Sequence, residues 1–450
     1  MTASIVVKFG GTSVSTKKNI QTIGDVVRRL KDKHPVVVVS ALSKVTDLLL
    51  SAANSPIKEA NEKIEEIRKK HKQLIRELWQ DEKSANKVFS FINKQLQLVS
   101  QLLKQNNKDK RLLDSIVSHG EIISSYIISQ WLTYQNIPSV QIVATEIIVT
   151  DNNFGSAEFL EKPTKKQVQK MLFPLIKNSI VPIVTGFIGA TKGGKVTTLG
   201  RGGSDYSASI IGFALGSAEV QIWTDVDGVF TADPRVVKTA RSIPEITFQE
   251  ASEMAFLGAK VLHPRTMRPV AKAGISVRIL NTFNPKNQGT RIVSRKERKS
   301  RITAITFKRK VVLLTIKAEQ MFMTTGFLAK IFDIFKEANI SVDLVSVSEV
   351  TVSLTLDMVD NLQDAVKKID KFSRIVVDQD AAVVSVIGEH IGRYHHAIRN
   401  VFSILDKKHI RVKMISFSAQ NRNISCVIKS SCWEEAVQAL HDELLLGGGK

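Results

Sequence analysis

At 450 residues the chain is too long for one compact core, so two or three domains are expected. Its composition, 43% hydrophobic and 24% charged, is that of ordinary folded domains, and no run approaches the ~20 apolar residues of a membrane helix. The formal charge of +21 raises the question of a polyanion, but much of the excess lies in Lys58 to Arg111, where Glu59, Glu62, Glu65 and Glu66 are interspersed, and in Arg291 to Lys310.

No zinc-finger spacing or aromatic RNA-binding motif accompanies these charges, so nucleic acid is not expected as a partner. Cys426 and Cys432 offer neither a disulfide framework nor metal-ligand spacing. No basic-then-apolar leader precedes Ile5, and a cytoplasmic protein without a membrane partner is expected.

In chain order, Ile5 to Phe9, Pro35 to Val39, Ile180 to Val184 and Val220 to Trp223 are nearly continuous apolar runs, as strands covered on both faces require. They alternate with amphipathic stretches as far as about residue 290, the pattern of an α/β sheet with helices on its faces. Between Ala60 and Lys110 the spacing is helical, with Ile64, Ile67, His71, Leu74, Ile75 and Leu78 on one stripe. Ile122 to Trp131, interrupted by Ser124, Ser125, Ser129 and Gln130, is expected as a buried helix. The charge run Arg291 to Arg301 predicts a linker, or an exposed sheet edge leading into one.

Beyond Arg301 the chain repeats over about 70 residues. Val311 to Ile316, Gly326 to Ala338, Val342 to Val347, Val350 to Leu356, Leu362 to Ile369 and Arg374 to Val377 read as strand, helix, strand, strand, helix, strand. Val383 to Ile387, Arg393 to Lys407, Arg411 to Phe417, Ile424 to Ile428 and Trp433 to Leu444 repeat that order but lack the last strand. Ile302 to Phe307 is the remaining β-like run, so the first unit is expected to be inserted into the second. The expected domains are therefore 1–295, 311–378, and 301–308 with 380–447.

Three segments carry chemistry. Lys8 ends a strand and Gly10 and Gly11 follow it, which suits phosphate: glycine N–H groups approach oxygens closely and an ammonium neutralises charge. Alone, such a turn is equally an ordinary strand-to-helix connection, and it lacks P-loop spacing. Gly200-Arg201-Gly202-Gly203-Ser204-Asp205 enters a helix of small residues with an arginine fork, a hydroxyl and a carboxylate together. Trp223 to Arg235 leaves a strand into a polar turn, where nucleotides commonly bind.

Lys8 to Ser13, Ser118 to Glu121, Gly200 to Asp205, Trp223 to Gly228 and Gly258 to Pro264 together resemble, in order, the motifs of aspartate kinases in the amino-acid kinase family. The likeness spans essentially the whole chain, and the tandem C-terminal units resemble ACT domains. It implies an αβα sandwich with a mainly parallel sheet, followed by two ferredoxin-like βαββαβ domains. The implied reaction is transfer of the ATP γ-phosphoryl group to the β-carboxylate of L-aspartate, the first step towards lysine, threonine and methionine.

Carried over by motif, Lys8, Asp205, Arg201 and Lys260 are the implied catalytic residues, and Thr46, Glu121, Phe187, Arg201 and Ser204 line the aspartate pocket. Lys8, Gly10, Gly11, Thr224, Asp225, Phe230, Arg235 and Lys260 surround ATP, and Phe230 departs from the tyrosine often found there. Met321, Thr324, Gly326, Phe327, Leu328, Ser341, Val342, Asp343 and Glu349 resemble the effector loops of lysine-inhibited members. Met323 and Thr324 depart from that pattern, which leaves threonine as the alternative effector. Mg²⁺ is expected to arrive with ATP, since no dedicated metal spacing is present. A homodimer or homotetramer through the ACT domains is expected. Competing readings are a kinase for glutamate or acetylglutamate, a non-catalytic amino-acid sensor, and a basic nucleic-acid binder.

Overall fold

The computed structural model describes residues 4–105, 109–259, 262–295, 302–317, 325–358, 361–389, 391, 396–417 and 422–446. The chain forms two compact units, Met1–Val229 with Pro244–Phe248 and Leu262–Lys296, and Phe230–Ile243 with Gln249–Val261 and Glu297–Lys450.

The first unit is built on an eight-stranded sheet in the order Ser139–Ile142, Val181–Thr185, Pro35–Val39, Ile5–Phe9, Glu219–Thr224, Ser276–Asn281, Thr290–Val293, Glu245–Thr247. Every pairing is parallel except that between Ser276–Asn281 and Thr290–Val293. Ile5–Phe9, Pro35–Val39 and Val181–Thr185 are buried at every position, because helices cover both faces. From Ile5–Phe9 the chain builds one side of the sheet with Pro35–Val39 and Val181–Thr185, and later the other with Glu219–Thr224. Strand order thus reverses beside Ile5–Phe9, at the carboxyl edge, where open α/β sheets form crevices.

The polar stretch beside the sheet folds as two helices, Ile57–Leu78 and Glu82–Leu103. The buried side of Ile57–Leu78 includes Ile64, Ile67, His71, Leu74, Ile75 and Leu78, as the helical spacing predicts. They pack with Val88, Ile92, Leu96 and Val99 and with Ile116, Ile123 and Ile127 of the helix Lys110–Tyr134. Arg291 belongs to a strand paired on both sides, so the predicted linker starts later than its charges suggest.

The second unit holds one antiparallel six-stranded sheet, Val342–Val347, Thr351–Asp357, Ala304–Lys317, Arg374–Ile387, Asn423–Lys429, Val412–Phe417. Two central strands run through both repeats. The first part of Ala304–Lys317 pairs with the second part of Arg374–Ile387, and the remaining parts pair with each other after register shifts around Lys308 to Leu313. Two separate cores result, one with Val312, Leu314, Ile331 and Phe335, the other with Ile305, Val384, Val401 and Val437.

Residues 230–243 and 249–259, expected within a catalytic span of 1–295, pack in this second unit. Ala232 and Val237 join the core with Ile305 and Leu440, while Ile305 N donates to Thr231 O at 2.7 Å. Asn423 Nδ2 also donates to Glu253 Oε2 at 2.6 Å.

Candidate active site

Lys8 is buried near the carboxyl end of its strand, between Val38 and Ile222. The following turn passes tightly between neighbours: Gly10 N donates to Trp223 O at 3.3 Å, and Ser43 N to Gly11 O at 3.2 Å. A Cβ on Gly11 would lie 2.9 Å from Ala41 O, so glycine is required by close approach.

The second glycine segment enters the helix Gly203–Leu215 through two left-handed residues, Gly200 (φ 75°) and Gly202 (φ 68°). It places Asp205 in the first turn, where Asp205 Oδ1 lies 2.6 Å from Lys8 Nζ. Phe187 is itself left-handed (φ 66°), and a Cβ on Gly203 would stand 2.5 Å from its Cδ2. Bare backbone at Gly203 therefore lets the aromatic ring lie against the loop.

A cleft of about 510 Å³ opens at this edge. Its lining includes Lys8, Thr46, Glu121, Phe187, Arg201 and Asp205. Gly11 and Ser204 border it as well. Gly10, Thr224 and Asp225 lie at the adjoining strand ends of the same unit, where Thr224 Oγ1 donates to Asp225 Oδ1 at 3.1 Å. Another cavity, of about 240 Å³, is bordered by Val27, His34, Pro35 and Val181 at the opposite edge of the sheet. Gly11 and the segment Gly200 to Asp205 border the first.

Glu121 is the most perturbed group of the cleft. One oxygen accepts from Ala41 N at 3.2 Å, and Oε2 has no partner among the described residues. Burial pushes its carboxyl up to about 8, against the smaller opposing effect of the Ala41 N–H. An ammonium placed beside Oε2 would favour the ionised form.

Several residues at this site have no motif of their own. Lys44, left-handed at φ 69°, lines the cleft, and Lys70 Nζ donates to Ser43 O from the helix Ile57–Leu78. Asp114 accepts from Gly155 N at 2.9 Å, Thr198 N at 2.9 Å and Thr198 Oγ1 at 2.7 Å, fixing the strand that leads into the glycine segment. Asp227 Oδ1 accepts from Asn281 Nδ2 at 2.9 Å, tying together two neighbouring strand exits.

Phe230 and Arg235 belong to the second unit, where Arg235 pairs with Asp233 at 2.5 Å. Lys260, Met321 and Thr324 lie outside the described residues. Gly326, Phe327 and Leu328 open the helix Phe327–Glu337, and Ser341 and Val342 lead into the strand Val342–Val347. Asp343 is already held: Lys308 Nζ lies 2.7 Å from its Oδ2, and Glu349 is in the turn before Thr351–Asp357. Among the described residues no group of three His, Cys, Asp or Glu stands close enough to hold a metal ion, and no helix is long and apolar enough to cross a membrane.

The open α/β sheet carries at its strand reversal a glycine-lined cleft bordered by Lys8, Lys44 and Arg201 and by Asp47, Glu121 and Asp205, and residues 3–281 match the amino acid kinase family. Residues 384–444 match an ACT domain. The chain is 37% identical to aspartokinase 1, chloroplastic, of Arabidopsis thaliana, covering 98% of this chain and 80% of that one. It is 34% identical to lysine-sensitive aspartokinase 3 of Escherichia coli, covering 99% of this chain and all of that one. A crystal structure of E. coli aspartokinase III in complex with aspartate and ADP superposes with a TM-score of 0.86 at 33% identity, over 98% of this chain and 99% of that one. The chain belongs to the aspartokinase family, ATP-using phosphotransferases with a carboxyl acceptor.

Proposed function

We propose that the cleft of the first unit phosphorylates the β-carboxylate of L-aspartate, giving 4-phospho-L-aspartate, with Lys8, Asp205 and Arg201 as its working residues. The observation that carries this reading is that the five expected aspartate-pocket residues line the same cleft as Lys8 and Asp205. The E. coli relative binds aspartate and ADP, which agrees with it.

The acceptor carboxylate has a reference pKa of about 3.9 and is ionised at neutral pH, so no general base is needed. Catalysis is then positioning and charge. Arg201 grips the α-carboxylate with its planar fork, and Glu121 Oε2 receives the α-ammonium. Lys8, oriented by Asp205, offsets the charge on the transferring phosphoryl group. Gly11 offers a backbone donor to phosphate beside Gly10, whose own N–H is held by Trp223 O, and Thr224 and Asp225 at the adjoining strand ends are the proposed nucleotide contacts within the first unit. The cleft holds Asp205 already paired with Lys8, and so fits Mg²⁺ that is carried in on phosphate oxygens and water. That ion would neutralise the β- and γ-phosphates.

The ACT half is proposed to bind lysine at Met321 to Leu328 and Ser341 to Asp343, with Glu349 nearby, and to pair edge to edge as a homodimer or homotetramer. Support comes from the lysine-sensitive E. coli relative, also solved with lysine and aspartate. Cys426 and Cys432 are both free, in keeping with a cytoplasmic setting. The test is Arg201→Lys: the aspartate KM rises sharply while the ATP KM stays put. Equal rises for both substrates would move Arg201 into the phosphate site. ADP release measured with lysine and with threonine decides the effector.

A further inference from the structure

Arg265 is the second residue of the helix Pro264–Lys272 and does not line the cleft. Its guanidinium is nevertheless saturated. Nε donates to Glu158 Oε1 at 3.0 Å, Nη1 to Ser156 Oγ at 2.9 Å and Leu199 O at 3.1 Å, and Nη2 to Ala157 O at 2.6 Å and Ser156 O at 3.3 Å. Cζ lies 5.0 Å from the centre of the Tyr206 ring, and Tyr206 OH donates to the other oxygen of Glu158 at 2.7 Å.

Leu199 immediately precedes the segment Gly200 to Asp205, and Tyr206 immediately follows it. One planar cation thus grips the loop at both ends. The loop needs such a grip. Gly200 and Gly202 reach their left-handed conformations without strain, but glycine leaves the free backbone with more freedom than any other residue. Close packing adds to the restraint, since a Cβ on Gly200 would meet Ser156 Oγ at 3.0 Å, and Ser156 is itself a partner of Arg265.

We propose that Arg265 is a positioning residue for aspartate, setting the direction of the Arg201 fork and the placement of Ser204 by clamping the loop that carries them. This rests on the reading of Arg201 as the α-carboxylate clamp. A lysine at position 265 keeps the charge and reaches Glu158, but one ammonium cannot reproduce the fork to Leu199 O, Ala157 O and Ser156 together.

The experiment is steady-state kinetics on the full chain for Arg265→Lys, Tyr206→Phe and Arg201→Lys, with thermal unfolding alongside. Arg265→Lys raises the aspartate KM about tenfold or more, since small displacements of a positioning group cost this much or more, and leaves the ATP KM within about twofold. Tyr206→Phe, which keeps the ring and loses only the hydroxyl, shifts the aspartate KM in the same direction by less. An unmoved aspartate KM in folded Arg265→Lys, or parallel rises for aspartate and ATP, overturns the proposal. If the aspartate KM rises in Arg201→Lys but not in Arg265→Lys, the role of Arg265 alone falls; if it is unmoved in Arg201→Lys, both readings fall.

Discussion

Lys8 Nζ lies 2.6 Å from Asp205 Oδ1, joining the end of the strand Ile5–Phe9 to the first turn of the helix Gly203–Leu215. The pair brings together the two glycine segments, and it leaves the lysine ammonium bordering the cleft. Lys8→Ala lowers kcat by roughly 100-fold or more, the usual loss when one preorganised charge contact is removed. Asp205→Asn keeps the shape but frees the ammonium, and lowers kcat as well. Circular dichroism should show both variants folded. Near wild-type turnover in folded Lys8→Ala contradicts the assignment.

The burial of Glu121 makes a pH prediction. With its carboxyl raised from 4.5 to about 8, the folded chain holds a proton there that the unfolded chain has lost, so this group destabilises the fold progressively as pH rises between those values. An aspartate ammonium beside Oε2 favours the ionised form, so binding below pH 8 expels a proton. The aspartate KM therefore falls as pH rises towards that value, by up to about tenfold per pH unit, and levels off above it. Glu121→Gln removes the slope. A flat KM profile in the wild-type enzyme from pH 6 to about 8 contradicts this role for Glu121.

Gly203 tests the shape of the pocket. An alanine there would press its Cβ to 2.5 Å from Phe187 Cδ2 and 3.2 Å from Phe187 Cα. The ring must move, because the backbone of Phe187 is held by Leu199 N donating to Phe187 O at 2.8 Å. Gly203→Ala raises the aspartate KM more than the ATP KM and lowers the midpoint of thermal unfolding, overpacking a tight site costing about 1–3 kcal/mol. Unchanged kinetics would place Phe187 outside the substrate's reach.

In the regulatory half, the ion pair between Lys308 and Asp343 at 2.7 Å already occupies the carboxylate within Ser341 to Asp343 that would otherwise be open to an ammonium of the proposed lysine effector. Burial raises the Asp343 carboxyl, and Lys308 opposes that shift. A lysine effector at Asp343 must compete with Lys308. Lys308→Met consequently lowers the lysine concentration for half-inhibition several-fold, and Asp343→Ala raises it while sparing activity without lysine. Inhibition unaltered in both variants would mean that the effector's ammonium binds elsewhere.

The parts of this fold that were legible in the sequence depend on local pattern. Apolar runs gave the parallel strands, the stripe from Ile64 to Leu78 gave the long helix, and Gly200 to Asp205 gave the loop that borders the cleft. What was hidden depends on distant partners. Arg265 and Asp114 look like ordinary helix residues until Leu199, Ala157 and Thr198 are brought to them. Likewise Lys308 to Lys310 reads as a polar break between two strands, whereas the chain passes through it as a register shift in one strand, Ala304–Lys317. Asp378 to Asp380 disguises the continuity of Arg374–Ile387 in the same way. The packing of residues 230–243 in the second unit follows from Ala232 and Val237 finding a core there, which no local spacing announces.

The most direct measurement is to trap the acyl phosphate with hydroxylamine, using ATP, Mg²⁺ and one acceptor at a time. The account predicts hydroxamate from L-aspartate, far less from L-glutamate or N-acetyl-L-glutamate, and none above background from Lys8→Ala. Equal hydroxamate from L-glutamate, or none that depends on L-aspartate, would contradict it.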